Sequence, residues 1–269
     1  MSLLWRDQVR IGVAPNRLIV AGYQRGVNPR LVRRDIVEVE PGNSGPGWQA
    51  AIEALPAALA PSRAAKPEVS VILSNCFVRY ALVPWNPTLR TEAEWLALAR
   101  HRLTTVHGTA AERWELRVTE TVRMGSLIAC GVEAELLDAV QAKVTEGRAK
   151  LSSVQPYLIA AFNRIRTKIG QESCWLVIEE PGCLVIALIR GGHWLSIRCR
   201  YVDANWRASF AEILEREGAL LALDEPCSRV VVYTPSAFDA DTSGAFQLRD
   251  LTLVGGTAAD YQPLAMALA

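Results

Sequence analysis

Cys174-Trp175-Leu176-Val177-Ile178-Glu179-Glu180-Pro181-Gly182-Cys183-Leu184-Val185-Ile186-Ala187-Leu188-Ile189 reads as strand, tight turn and strand, and a third strand continues through Trp194 to Arg200. A second stretch far upstream has the same plan. It is Val9-Arg10-Ile11-Gly12-Val13-Ala14-Pro15-Asn16-Arg17-Leu18-Ile19-Val20-Ala21-Gly22-Tyr23, continuing from Leu31 to Val39. Pro15 punctuates the first turn and Pro181-Gly182 the second, and each meander leads into a helical pattern. A supersecondary unit that recurs after roughly half of a chain implies a duplicated fold.

The remaining segments fall into place around the two meanders. Pro41 to Gly47 is a turn cluster that opens a helix from Trp48 to Leu59, with Trp48, Ile52, Leu55 and Leu59 on one face. Glu68–Leu73 and Phe77–Pro84 read as strands joined by a Ser74-Asn75-Cys76 turn in which Asn75 takes the left-handed conformation. Thr91 and Glu94 form a capping box for a helix from Glu92 to Leu103. Strands at Trp114–Glu120 and Ser126–Val132 precede a helix from Glu133 to Arg148, and a further helix runs from about Val154 to Lys168, with Gly170 as its C-cap. After the second meander come a helix from Trp206 to Glu217 closed by Gly218, and a strand at Ser228–Pro235. A polar loop at Ser236–Gly244, a strand at Phe246–Val254 and an apolar tail from Tyr261 to Ala269 complete the chain. The expected class is α/β with mixed sheets. Its expected parts are a first half (1–84), an inserted small α/β subdomain (85–150), a bridging helix (151–170) and a second half (171–269).

Composition narrows the function. The 269 residues carry 29 basic and 28 acidic side chains for a net charge of +1, so the strong basic excess of a nucleic-acid protein is missing. No apolar run is long enough to span a bilayer, and Met1 to Asp7 has no basic region followed by an apolar core, so neither a membrane span nor a secretory leader is expected. Of the six cysteines, Cys76, Cys130, Cys174, Cys183 and Cys199 sit in apolar or alternating runs, as buried thiols do. No pair has C-x-x-C spacing, so zinc or thioredoxin-like chemistry has no support.

Few residues suggest catalysis. Glu179 and Glu180 read as a solvated hairpin tip, with a metal-binding pair as the sharper alternative. His193 belongs to a hairpin edge after Gly191-Gly192. His101 and His107 flank a helix end, where a protonated imidazole suits the dipole. Trp85, Trp95 and Trp114 concentrate in the inserted subdomain, as its core or as the lining of a partner groove. Arg30, Arg33 and Arg34 read as exposed positions of an outer strand, and Arg164, Arg166 and Lys168 as a solvated helix face.

Three places carry a family resemblance. The first is Val69-Ser70-Val71-Ile72-Leu73 with Val78-Arg79-Tyr80-Ala81-Leu82-Val83-Pro84-Trp85 and the helix after Thr91. The second is Leu127-Ile128-Ala129-Cys130-Gly131-Val132 leading into Glu133-Ala134-Glu135-Leu136-Leu137. The third is Asp260-Tyr261-Gln262-Pro263-Leu264-Ala265-Met266-Ala267-Leu268-Ala269. Together with the duplicated meander they resemble the actin-like superfamily of paired RNase H-like halves. Within it they resemble the cytoplasmic platform proteins of type IV pilus and type II secretion systems, the PilM and GspL kind.

The resemblance implies a non-catalytic cytoplasmic scaffold, peripheral to an inner membrane through a protein partner. That partner would be the cytoplasmic N-terminal segment of a bitopic membrane protein of the PilN kind. It would lie in a groove near residues 76–90 and 113–120, for which Arg79, Trp85, Trp95 and Trp114 are the candidates. An assembly ATPase is the second implied partner. The nucleotide turns of the superfamily map onto Gly12, Gly182, Gly255 and Gly256, but the surrounding residues depart from the pattern. Arg10 stands near the position of the phosphate-binding Asp, Pro15 removes an N–H donor, and Glu179-Glu180-Pro181 places two carboxylates where phosphates would sit. No cofactor is therefore expected, and weak binding of ATP with Mg²⁺ by an at most nucleotide-responsive scaffold stays open as the alternative. The rival reading is an active actin-like ATPase or a sugar-kinase-type phosphotransferase. It would draw its carboxylate from Glu179, Glu180 or Asp260.

Overall fold

The computed structural model describes residues 8–24, 30–40, 46–60, 66–120, 125–203, 205–223, 225–234, 238 and 245–251. The first part of the chain contains β1 (Gln8–Ala14), β2 (Arg17–Gln24), β3 (Arg30–Glu38), α1 (Gln49–Glu53), α2 (Leu55–Leu59) and β4 (Glu68–Leu73). It continues with β5 (Val78–Val83), α3 (Glu92–His107), β6 (Trp114–Glu120), β7 (Leu127–Glu133), α4 (Ala134–Glu146), β8 (Lys150–Pro156) and α5 (Tyr157–Ile169). The last part contains β9 (Cys174–Glu180), β10 (Cys183–Arg190), β11 (His193–Tyr201), α6 (Phe210–Leu220), β12 (Arg229–Tyr233) and β13 (Gln247–Asp250).

Two five-stranded sheets have matching strand orders, β3-β2-β1-β4-β8 and β11-β10-β9-β12-β13. In each, an antiparallel meander supplies three strands and the first of them pairs in parallel with a later strand, β1 with β4 and β9 with β12. A further parallel strand then extends the sheet, β8 beside β4 and β13 beside β12. The duplication read from the two meanders is thus present in topology. A third sheet has the order β5-β7-β6. Two compact units result, one from residues 8–78 and 132–161 and the other from 79–131 and 162–251.

In the first unit Val9, Ile11, Val13, Leu18 and Val20 are buried, and α1 and α2 lie against β1 and β2, with α4 beside them. The helix expected from Trp48 to Leu59 is two short helices. Pro56 opens α2 and has no N–H to continue the ladder, so the chain turns at Ala54. The expected Ser74–Cys76 hairpin turn also differs. Residues Asn75–Phe77 form a 3₁₀ turn capped by Ser74, and β4 and β5 enter different sheets. Asn75 is not left-handed. It is fully buried, and its Oδ1 accepts the Leu158 N–H at 3.0 Å, which satisfies a donor in the first turn of α5. Val154 to Pro156, read as the start of the bridging helix, belong instead to β8 (Lys150–Pro156), and α5 begins only at Tyr157.

In the second unit Trp175, Val177, Leu184, Ile186, Leu188, Val230 and Val232 form one face of the sheet and pack against Trp206, Phe210 and Leu214. Phe162 of α5 meets Trp194 at 4.8 Å between ring centroids. Gly218, expected to end α6, lies inside it, and a 3₁₀ turn at Trp206–Ser209 precedes the helix. The Thr91–Glu94 capping box is present at the start of α3, which runs one turn past Leu103. Among the described residues, no helix is long and apolar enough to cross a membrane. The apolar tail lies outside them.

Candidate functional site

The β9–β10 hairpin is where an actin-like second half would hold phosphates. The connection is only Pro181-Gly182, with Gly182 at φ 77°, a conformation that costs glycine nothing. Both carboxylates before it belong to β9, Glu180 paired with Cys183 and Glu179 with Leu184. They are buried, at 4% and 9% relative exposure, so the solvated hairpin tip is corrected to two strand positions. Strand alternation sends them to opposite faces. Glu179 faces the segment before α6, where one guanidinium nitrogen of Arg207 donates to both its oxygens at 2.6 and 2.7 Å. Arg207 also lies over the Trp206 ring at 4.8 Å and the Phe238 ring at 5.8 Å. Burial raises the Glu179 carboxyl above its usual range, and Arg207 pulls it back down in part.

The opposite face of the hairpin approaches Tyr80 of β5. Burial, with Cys130, Cys199, Glu180 and Cys183 nearby, pushes the Tyr80 phenol well above its usual value. Burial likewise moves the Cys130 thiol up to about 12 and the Cys174 thiol up to about 11. These two groups stay protonated near neutral pH, so neither supplies a thiolate nucleophile. Among the described residues, no group of three or more His, Cys, Asp or Glu is placed to hold a metal ion.

The other candidates scatter. Gly12 is inside β1, paired with Ile19, because β1 runs on to Ala14 and the turn falls at Pro15 and Asn16. Gly255, Gly256 and Asp260 lie outside the described residues. In the three-stranded sheet Trp85 and Trp95 stack at 5.4 Å with 27° between their planes. Trp95 and Trp114 pack on the cluster of Val83, Leu103, Leu116, Leu127 and Ala129, whereas Trp85 is 38% exposed. A Cβ on Gly131 would come within 2.9 Å of the Trp114 ring and 3.1 Å of Leu116, so glycine lets β6 and β7 lie this close. Arg79 is half-buried on β5 and lowers the His107 pKa, after a larger effect of burial. His107 also meets the Trp114 ring edge-on at 5.1 Å. Burial and Arg79 thus both disfavour the charged imidazole expected for His107 at this helix end.

Sequence reasoning did not find Arg207 or Phe238. Arg207 is far from Glu179 along the chain, and Phe238 sits in a polar loop, so neither had a local signal.

No family model matches the sequence, and neither does any curated protein. Solved structures do. A chain of the PilM–PilN type IV pilus biogenesis complex is similar with TM-score 0.68 at 12% identity, covering 97% of this chain and 96% of that one. The cytoplasmic domain of EpsL, an inner membrane component of the type II secretion system of Vibrio cholerae, gives 0.60 at 14% identity, covering 98% and 94%. A Bacteroides thetaiotaomicron protein with an actin-like ATPase fold and unknown function gives 0.62 at 13% identity, covering 100% and 98%. The fold is actin-like, and the platform proteins named by the resemblance are among the structures that share it.

Proposed function

We propose that this actin-like chain is a non-catalytic scaffold of a type IV pilus or type II secretion-like platform, held at the cytoplasmic side of an inner membrane by a protein partner. The observation that carries the reading is the Arg207–Glu179 pair. Phosphate chemistry at this turn needs a carboxylate available to a metal ion, or backbone donors free of negative charge. Here both Glu179 oxygens accept from one Arg207 nitrogen on the helix side, Glu180 adds a buried carboxylate, and Pro181 offers no N–H. These residues do not fit a magnesium nucleotide. The expected result is an unchanged melting temperature in saturating Mg-ATP. A nucleotide at a hundred times its Kd would add about 2.7 kcal/mol of stability, and a shift of that size would overturn the non-catalytic reading.

The partner is an extended N-terminal segment of a bitopic membrane protein. A β-strand addition uses a free sheet edge for main-chain hydrogen bonds and a nearby aromatic as anchor. The three-stranded sheet offers β5 as an edge strand, with Trp85 immediately after it. Trp85 is the exposed member of the Trp85–Trp95 stack, and Arg79 lies on the same strand. An assembly ATPase is the second proposed partner, supported by the likeness of fold to the type II secretion component. Titration calorimetry with N-terminal peptides of the membrane proteins encoded beside this chain tests the first partner. Trp85→Ala is expected to weaken the binding peptide at least thirtyfold, the scale of a lost aromatic anchor. Failure of every such peptide to bind the wild-type protein would sink the scaffold reading.

A further inference from the structure

The outer strand of the first sheet carries a symmetry that its counterpart in the second sheet lacks. β3 ends the strand order of its sheet and reads Arg30-Leu31-Val32-Arg33-Arg34-Asp35-Ile36-Val37-Glu38. Laid antiparallel against a copy of itself about Arg34, it places Arg30 opposite Glu38, Leu31 opposite Val37, Val32 opposite Ile36 and Arg33 opposite Asp35. Every pair off the axis is either apolar with apolar or basic with acidic. Arg30, Val32, Arg34, Ile36 and Glu38 are all exposed, with Val32 at 63% and Ile36 at 40%.

Arg33 and Asp35 already show the complementarity within one strand, at 2.5 Å, while a second Arg33 nitrogen donates to the Ala58 carbonyl at 2.8 Å. Glu38 is 66% exposed at its side chain, and the Arg17 guanidinium lies 3.9 Å from its carboxylate. A nine-residue edge strand without proline presents a row of main-chain groups to another strand, and its charges guard it against partners that do not complement them. Its β-bulge, where Val32 drops out of the ladder with β2, bends the strand near one end and leaves Arg33 to Glu38 in continuous register.

The duplicated half supplies a comparison. β11 occupies the same place in the second sheet, but His193-Trp194-Leu195-Ser196-Ile197-Arg198-Cys199-Arg200-Tyr201 has no acidic residue to meet its two arginines. Those arginines turn instead to the buried Glu217 of α6, at 2.9 and 2.7 Å. Self-complementarity therefore does not follow from being the outer strand of such a sheet.

We propose that β3 is a homodimerisation strand. Two copies of this chain pair β3 with β3 antiparallel about Arg34, making one ten-stranded sheet across a two-fold axis. The occupant is a second copy, which the charge complementarity of the strand with itself selects. Arg34 meets its own copy at the axis, which weakens the pairing and keeps it concentration-dependent.

Sedimentation equilibrium of the full chain across micromolar to millimolar concentration is the test. The wild type is expected to associate into dimers. Glu38→Arg sets like charges opposite each other at both ends of the strand pair, and should raise the dimer Kd about tenfold or more. Combining Arg30→Glu with Glu38→Arg should restore the wild-type value, because the charges are exchanged rather than lost. Arg34→Thr should tighten the dimer several-fold by removing the repulsion at the axis. Circular dichroism confirms that each surface variant is folded. A wild type that stays monomeric at millimolar concentration overturns the proposal, as does a dimer indifferent to Glu38→Arg or one that the double exchange fails to restore. None of these outcomes depends on whether a peptide or a nucleotide binds elsewhere.

Discussion

Replacing Arg207 with alanine is expected to destabilise the second unit by about 3 kcal/mol, measured by urea unfolding followed by fluorescence and circular dichroism. The loss comes from the group left behind. Glu179 has a side chain only 11% exposed, and one Arg207 nitrogen donates to both of its oxygens. Without the guanidinium the carboxylate stays buried and charged, or must take up a proton. Because burial already raises the Glu179 pKa above its unfolded value, the folded state holds this proton more tightly than the unfolded state does. Stability from this group is therefore greatest below the unfolded carboxylate pKa and falls as pH rises through the folded one. Removing Arg207 raises the folded pKa further. The deficit of Arg207→Ala should accordingly be smaller near pH 5 than near pH 8. A pH-independent deficit would show that lost packing on Trp206 and Phe238, rather than the stranded charge, explains the variant. Replacing both partners by apolar residues, Arg207→Met with Glu179→Leu, should recover most of the loss.

Phe210→Ala is expected to cost about 3–5 kcal/mol, the range for deleting a fully enclosed aromatic ring. Phe210 is completely buried at the first position of α6. Its ring lies 5.8 Å from that of Trp206 and 5.0 Å from that of Phe238, edge-on to both. The same two rings carry the Arg207 guanidinium. Deleting Phe210 therefore removes the support under the ion pair as well as filling volume. The two variants should not be additive. Arg207→Ala should cost measurably less in the Phe210→Ala background than in the wild type, with a coupling on the order of 1 kcal/mol in the double-mutant cycle. Additive losses would mean that the ion pair holds its geometry without the aromatic cluster.

The features legible in the sequence were those with local causes. Alternation and Pro or Gly turns gave both meanders, and the Thr91–Glu94 capping box placed the start of α3. The features that were missed depend on distant partners. β8 has the polar residues Ser152, Ser153 and Gln155 and little alternation, because its strand character comes from β4. Ser152 donates to the Val69 carbonyl at 2.9 Å and meets the Ser70 hydroxyl at 3.1 Å. Glu179 and Glu180 look like turn residues until Arg207 and the length of β10 draw them into the sheet. The candidate glycines divided for a similar reason. Gly182 needs its positive φ and sits in the turn, whereas Gly12 is flanked by residues that extend β1 past it. Trp95 and Trp114, both half-buried, pack on apolar neighbours from four elements, whereas Trp85, just after Pro84, is exposed.

The place of β8 in the first sheet has a consequence for synthesis on the ribosome. β4 pairs on one side with β1, made earlier, and on the other with β8, made later. Translation at about 5–20 residues per second leaves the second side of β4 without its strand for roughly 4–15 s while residues 74–149 are added. An open parallel edge on a nascent chain invites pairing with a neighbouring chain. The first residue of that edge is Glu68, which ends up only 7% exposed, with the Lys150 ammonium 3.6 Å from its carboxylate. Once Lys150 arrives, it meets Glu68 at the first position of the β4–β8 pairing, so this contact helps to set the late strand in register and close the edge.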